Sequence, residues 1–163
     1  LSHLSHLDSD GRLAMVDVSD KAETKRLARA RAVLSMAPET ADALRNASLP
    51  KGDAIAVARL AGIMAAKRTD ELIPLCHGLG LDHIDVEIEI LENRAIITTI
   101  ATTTARTGVE MEALTAASVA ALTLYDMAKA IDRLMVVSEL CLLEKRGGRS
   151  GHWTREGFEQ SSP

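Results

Sequence analysis

Residues 107–132 read TGVEMEALTAASVAALTLYDMAKAID. The stretch is mostly Ala, Leu, Val and Met, the composition of a helix buried on most sides. Such a helix obliges the rest of the chain to supply a layer for it to pack on. It also carries Glu110, Glu112, Asp126 and Lys129, and buried charges are costly unless paired or neutralised. Projected at about 100° per residue, Glu112, Thr115, Ser118, Thr123, Tyr125, Asp126 and Lys129 fall within an arc of about 160°. The remaining arc is Ala, Leu and Met. Glu110 lies outside the stripe, at the helix start, where a carboxylate suits the dipole. Asp126 and Lys129, three apart, can touch. Glu112 and Asp126 share the stripe but stand about 21 Å apart along a continuous helix. Either they line opposite ends of an elongated molecule, or a neighbouring subunit completes a site. The plain alternative is a solvated face with a weak surface ion pair.

The layer is legible upstream. In HIDVEIEI, Ile84, Val86, Ile88 and Ile90 alternate with Asp85, Glu87 and Glu89, the period of a half-buried strand. AIITTIATTT is β-branched and reads as its partner, with LENR as the hairpin turn. After the helix, MVVSELCLLEK reads as a third strand, GGRSG (147–151) as a flexible loop and HWTRE as a short edge strand. Before the hairpin, residues 1–18 form an expected extended arm ending in MVDV. SDKAETKRLARARAVLSMA then reads as a helix capped by Ser19 or Asp20, with Asp20 and Glu23 resembling a capping box. Pro38 opens a second short helical stretch, NASLPKGD (46–53) is a loop, DAIAVARLAGIMAAKR is another helix, and IPLCHGLGLDH (73–83) is a loop. Helices and an antiparallel sheet in this order predict an α+β layered domain, and the strand–helix–strand spacing around residues 107–132 suggests a ferredoxin-like arrangement. Residues 19–156 form one domain in this reading and 157–163 a C-terminal tail.

A chain of 163 residues that is 47% hydrophobic is a folded globular protein with a core of its own. Aromatic residues make up only 2%, so Ala, Leu, Ile and Val must fill that core. Small side chains bury little area each, and subunit packing is expected to contribute. The net charge of −4 argues against a general nucleic-acid binder, and one Phe, one Tyr and one Trp cannot supply the stacking set of an RNA-binding sheet. Two cysteines, Cys76 and Cys141, make neither a disulfide scaffold nor a four-cysteine zinc site, and a reducing, cytoplasmic location is expected. No signal peptide and no membrane-spanning run is read. His3 and His6, in the repeated Ser-His-Leu of the arm, are candidates only for a stray metal.

Other residues carry candidate chemistry. Lys51, in PKGDA, sits in a Gly/Pro loop just before a helix, a place suited to a phosphate. Lys67 and Arg68 end an apolar helix, where cations suit the dipole. Lys145, Arg146 and Arg149, in KRGGRSG, combine cations with glycine amides and are candidate phosphate contacts, although the spacing is not that of a P-loop. Cys76 and His77 are adjacent, so they do not form a catalytic Cys–His pair. His77 can donate a hydrogen bond or move a proton near neutral pH. No zinc spacing joins His77, His83 and the acidic residues.

Taken in order, MVDVSDKAETKR, KGDAIAVARLAGIMAAKRTDELIPLCH, TGVEMEALTAASVAALTLYDMAKA and LLEKRGGRSG resemble the molybdenum cofactor biosynthesis protein C family, the cyclic pyranopterin monophosphate synthases. The resemblance runs from about His6 to Trp153. It implies a ferredoxin-like protomer that rearranges a cyclised dihydro-GTP, supplied by a radical SAM enzyme, into cyclic pyranopterin monophosphate with release of pyrophosphate. It implies a homohexamer built as a trimer of dimers with sites at the dimer interface. By resemblance Asp126 is the catalytic acid/base and Lys129 its neighbour. Leu75, Cys76, His77, Met111 and Glu112 match substrate-contacting segments, and Lys51 and Lys67 match site lysines. The sequence calls for no cofactor; Mg²⁺ accompanying the triphosphate is compatible with it. The family reads LCHP where this chain reads LCHG, so a looser loop is expected around His77. A non-catalytic nucleotide-binding or regulatory module on a ferredoxin-like sheet is the alternative reading, and a charged oligomerisation scaffold is a third.

Overall fold

The hairpin forms as its pattern requires. Strand β2 (His83–Ile90) pairs antiparallel with β3 (Arg94–Ala105), and the Leu91 amide donates to the Arg94 carbonyl at 2.8 Å to close the turn. Val86 is buried, and Ile84, Ile88 and Ile90 pack against the core from the same face. The structure, a computed structural model, describes residues 12–149 and 151–158. His3 and His6 lie outside the described residues, as do most of the expected arm and residues 159–163 of the tail.

The segment expected to be the first helix is instead a strand. β1 (Thr24–Ser35) pairs with β3 along its whole length and, on its other side, with β4 (Val136–Arg146). Its rich Ala and Arg content favours a helix locally. Its tertiary pattern has period two: Ala28, Ala30, Ala32 and Leu34 are fully buried, while Arg29 and Arg31 form ion pairs with Glu144 and Glu139 of β4. Pairing on both edges, with β3 throughout and with β4 from Leu27 to Ser35 apart from local irregularities, overrides the local preference.

With β1 in place the order is β1, α1 (Pro38–Arg45), α2 (Ala54–Ala66), α3 (Thr69–Leu72), β2, β3, α4 (Glu110–Ala128), β4 and β5 (His152–Thr154). The sheet runs β2-β3-β1-β4-β5, antiparallel throughout. Its first four strands have the split βαβ order of a ferredoxin-like fold. The edge strand expected from HWTRE is β5.

α2 and α4 pack on one face of the sheet. The buried side of α4 is Ala113, Ala116, Ala117, Ala120, Ala121, Leu124 and Ala128, and the sheet answers with small residues of β1 and β3. A Cβ added at Gly62 of α2 would stand 3.0 Å from the Ala116 carbonyl oxygen, 3.1 Å from Val86 Cγ2 and 3.3 Å from Ala120 Cβ. The scarcity of aromatics thus has a structural use: small side chains let the two helices and the sheet approach closely. The helices run antiparallel, since Gly62 faces Ala116 while Lys51, just before α2, meets Asp126 near the end of α4. Asp132, just beyond α4, ties the far end of the layer together. Its Oδ2 accepts the Ala37 amide at 2.9 Å and the Thr40 hydroxyl at 3.2 Å, and its Oδ1 accepts the Leu134 amide at 2.9 Å. Asp132 therefore caps the start of α1 from a distant segment, a position where Ala37 itself has no side chain to do so.

Candidate functional site

The stripe read on α4 does not form one surface. Its N-terminal end turns inward: Glu112 is 4% exposed and Thr115 8%. Its middle satisfies itself, because the Ser118 and Thr123 hydroxyls donate back to the carbonyls of Leu114 and Val119 at 2.8 and 2.7 Å. Its C-terminal end is open, with the Asp126 and Lys129 side chains about half exposed. Two separate sites result.

The first lies at the start of α4. A cavity of about 420 Å³ is lined by Leu75, Cys76, His77 and Leu79 of the loop after α3, by Glu110, Met111 and Glu112, and by Val16, Val18 and Lys21. Five of the seven residues expected to contact substrate, Leu75, Cys76, His77, Met111 and Glu112, are brought together here, while Lys51 and Lys67 lie outside this cavity. Burial, reinforced by the negative charges of Glu110 and Asp70, pushes the Glu112 carboxyl up to about 7. It can therefore exchange a proton near neutral pH. Burial, then the Glu112 and Asp70 charges, raises the Cys76 thiol, which keeps it protonated and a poor nucleophile.

His77 is not loose. Its Nε2 stands 2.9 Å from the Val16 carbonyl oxygen. A carbonyl only accepts, so Nε2 carries the proton and, in the neutral ring, Nδ1 is left as an acceptor. The glycine that follows does not free the ring, because the segment before Ser19 holds it. Gly78 instead faces the Asp70 carboxylate: a Cβ there would stand 2.9 Å from Asp70 Oδ2.

The second site lies at the other end of α4. Asp126 Oδ2 accepts from Lys51 Nζ at 2.8 Å and Oδ1 from Lys129 Nζ at 2.6 Å, and Lys51 Nζ also donates to the Asp126 backbone carbonyl at 3.0 Å. Hydrogen bonding from Lys129, then from Lys51, holds the Asp126 carboxyl down at about 2, and Asp126 in turn raises Lys129. Lys51, Lys129, Tyr125, Ala130 and Arg133 line an open cleft of about 380 Å³.

The remaining expected residues are dispersed. Lys67 is exposed as the C-cap of α2, which the antiparallel packing places toward the Glu112 end of α4. Lys145 Nζ donates to Glu110 Oε1 at 2.9 Å, and Arg146 is paired with Glu144. Arg149 is exposed at the tip of the 147–151 loop. Val16, Val18 and Lys21 were missed as cavity residues. They belong to a distinctive block, MVDVSDKAETKR, but no spacing joins that block to residues 75–77; only the fold does. Glu110, read as a dipole partner, is also a cavity wall. Among the described residues no group of three or more His, Cys, Asp and Glu side chains is placed to hold a metal, and no helix is long and apolar enough to cross a membrane.

Fold and clefts together define a single-domain ferredoxin-like α+β protein with ionisable clefts at both ends of its long helix. The chain belongs to the MoaC family, whose sequence model matches residues 15–148. It is similar to proteins named cyclic pyranopterin monophosphate synthase in three bacteria. The Novosphingobium aromaticivorans protein is 54% identical over 153 residues, 94% of this chain and 98% of the relative. The Desulfitobacterium hafniense protein is 52% identical over 160 residues, 98% of each chain. The Thermomicrobium roseum protein is 53% identical over 161 residues, 98% of this chain and 97% of the relative.

Proposed function

We propose that this chain is a cyclic pyranopterin monophosphate synthase, a lyase of molybdenum cofactor biosynthesis that rearranges a cyclised dihydro-GTP and releases pyrophosphate. The observation that carries this reading is the assembly of Lys51, Asp126 and Lys129, drawn from separate blocks of the chain, within a fold whose family match is nearly complete. While both lysines hold it, Asp126 stays ionised. A triphosphate that draws the lysines away returns its carboxyl toward the ordinary range and makes it a better proton acceptor. Lys51 and Lys129 then stabilise the charge growing on the leaving pyrophosphate, and Lys67, which lies toward the Glu112 end of its own chain, joins them where a neighbouring subunit completes the site.

The cavity at the other end of α4 takes the ring system. Leu75, Leu79 and Met111 supply apolar walls, Glu112 supplies a carboxyl that exchanges a proton near neutral pH, and His77, its Nε2 tied to the Val16 carbonyl, offers Nδ1 as an acceptor. Because the two clefts are far apart on one chain, a catalytic site joins the Glu112 end of one subunit to the Asp126 end of another. That arrangement accords with a hexamer built as a trimer of dimers. The substrate is supplied by a radical SAM enzyme, and Mg²⁺ enters, where it does, on the triphosphate. No specific observation favours a non-catalytic module. The test is incubation with the radical enzyme's product: pyrophosphate release with formation of the cyclic monophosphate is expected, and no release by the purified chain would sink the reading.

A further inference from the structure

Glu144 is fully buried in β4, yet it is a charged residue and no part of either cleft. A buried carboxylate persists only where it is paired. Glu144 meets Arg29 Nε of the central strand at 3.3 Å, the Arg146 guanidinium on its own strand, and His152 Nε2 of β5 at 2.9 Å. Burial alone would raise this carboxyl, but the bonds from Arg146 and His152 and the charges of Arg146 and Arg29 outweigh it and hold it below its ordinary value.

Two of these partners have a particular relation. Arg146 and His152 are paired across the ladder, so they are the two stems of the hairpin whose tip is 147–151. The tip is closed by the Gly147 amide on the Gly151 carbonyl at 3.0 Å and the Gly151 amide on the Gly148 carbonyl at 3.2 Å. It is seated tightly on β1. Gly147 and Gly148 have φ of +98° and +72°, and a Cβ on either would fall on the Lys25 carbonyl or the Arg26 guanidinium. β5 itself is only three residues long and exposed throughout, so its own burial holds it weakly. Besides the ladder it is held by Arg155, which bonds the Leu143 and Leu142 carbonyls, and by Glu144.

We propose that Glu144 is a positioning residue: anchored by Arg29, its carboxylate clasps both stems of the 147–151 hairpin and so sets where Arg149 stands to receive the substrate's phosphates. The phosphate role of Arg149 is the expectation drawn from the KRGGRSG sequence and rests on the function proposed above; the clasp does not.

The test uses the full chain with Glu144→Gln and, because a buried substitution can impair folding, His152→Ala, which removes one arm of the clasp at a half-exposed position. Hydrogen exchange of the Gly147 and Gly151 amides should quicken by about tenfold or more in both variants. With cyclised dihydro-GTP, KM should rise by about fivefold to tenfold while kcat stays within about twofold. Inorganic pyrophosphate, bound in a calorimeter without turnover, should weaken in parallel. Adding either substitution to Arg149→Ala should produce no further loss, because the clasp acts through that residue. Unchanged amide exchange in both variants would overturn the clasp. Losses that multiply with Arg149→Ala, or that fall on kcat, would overturn the positioning role. If the wild-type chain does not turn over the nucleotide, the function reading fails alone, and amide exchange and pyrophosphate binding still decide the proposal.

Discussion

Lys51 Nζ and Asp126 Oδ2 stand 2.8 Å apart although 75 residues separate them in the chain. The contact exists because α2 and α4 run antiparallel, which places the loop before one helix against the end of the other. Removing Lys51 leaves Asp126 with Lys129 alone. In Lys51→Ala the Asp126 carboxyl, held at about 2, should move up toward its ordinary value, read by carboxyl NMR titration. The sign follows from linkage: a depressed carboxyl stabilises the fold above its unfolded pKa, and that contribution is lost as pH falls from about 4 to about 2. Lys51→Ala should lose part of this acid-limb dependence. An unmoved Asp126 titration would contradict the pairing, and unchanged triphosphate affinity in a calorimeter would reject the phosphate role of Lys51.

Asp126→Asn and Lys129→Ala change exposed side chains whose bonds are to each other and, for Asp126, to Lys51. Both proteins should fold with thermal midpoints near the wild-type value. Each should lose turnover by about a hundredfold to ten-thousandfold, the range for removing a positioned acid or base. Pyrophosphate release is the readout, and wild-type rates in both would dismiss the assigned roles.

Glu112 predicts an opposite pH dependence. Its folded carboxyl, at about 7, is raised above the ordinary 4.5, so the fold binds the proton more tightly than the unfolded chain does. That contribution is fully present below about pH 4.5 and is lost as pH rises through 7. Glu112→Gln, neutral at every pH, should stabilise the protein at pH 8 by about 2 kcal/mol, allowing for water reaching the cavity. It should do little at pH 4. Thermal melts at the two pH values make the comparison, and an equal shift at both would refute the raised carboxyl.

The distance between Glu112 and Asp126 makes the shared site testable by mixing. Glu112→Gln and Asp126→Asn chains, each inactive alone, should regain activity when unfolded and refolded together. A random dimer population would restore about a quarter of the sites. No recovery in a mixture shown by mass spectrometry to contain hybrid oligomers would place both groups in one chain's site.

Asp132→Ala removes the acceptor of the Ala37 and Leu134 amides and of the Thr40 hydroxyl. A loss of about 1 kcal/mol is expected, as for a deleted N-cap. The Ala37 bond, the chief cause of this carboxyl's lowered pKa, gives the contribution its sign: it is present at neutral pH and fades below the ordinary carboxylate range. Urea unfolding at pH 7 and pH 3 measures both, with the difference between wild type and variant shrinking at the lower pH.

Much of this was written in local pattern. Period-two alternation in residues 84–90, the β-branched run after it and the long Ala-rich segment declared β2, β3 and α4, because each pattern matches one backbone periodicity and no other. The blocks around Lys51, Cys76, Glu112 and Asp126 carried the family resemblance without reference to any fold. β1 was hidden, because Ala and Arg prefer a helix until strands pair on both edges, and no local signal reports that pairing. The site divided in the same way. Residue types and their spacing along α4 were enough to separate Glu112 from Asp126. That Glu112 is buried and titrates near 7, that Lys51 reaches Asp126, that Val16 holds His77, and that Glu144 clasps a hairpin were decided only by tertiary structure. Burial and contact between distant segments set those properties, and neither is a function of sequence neighbours.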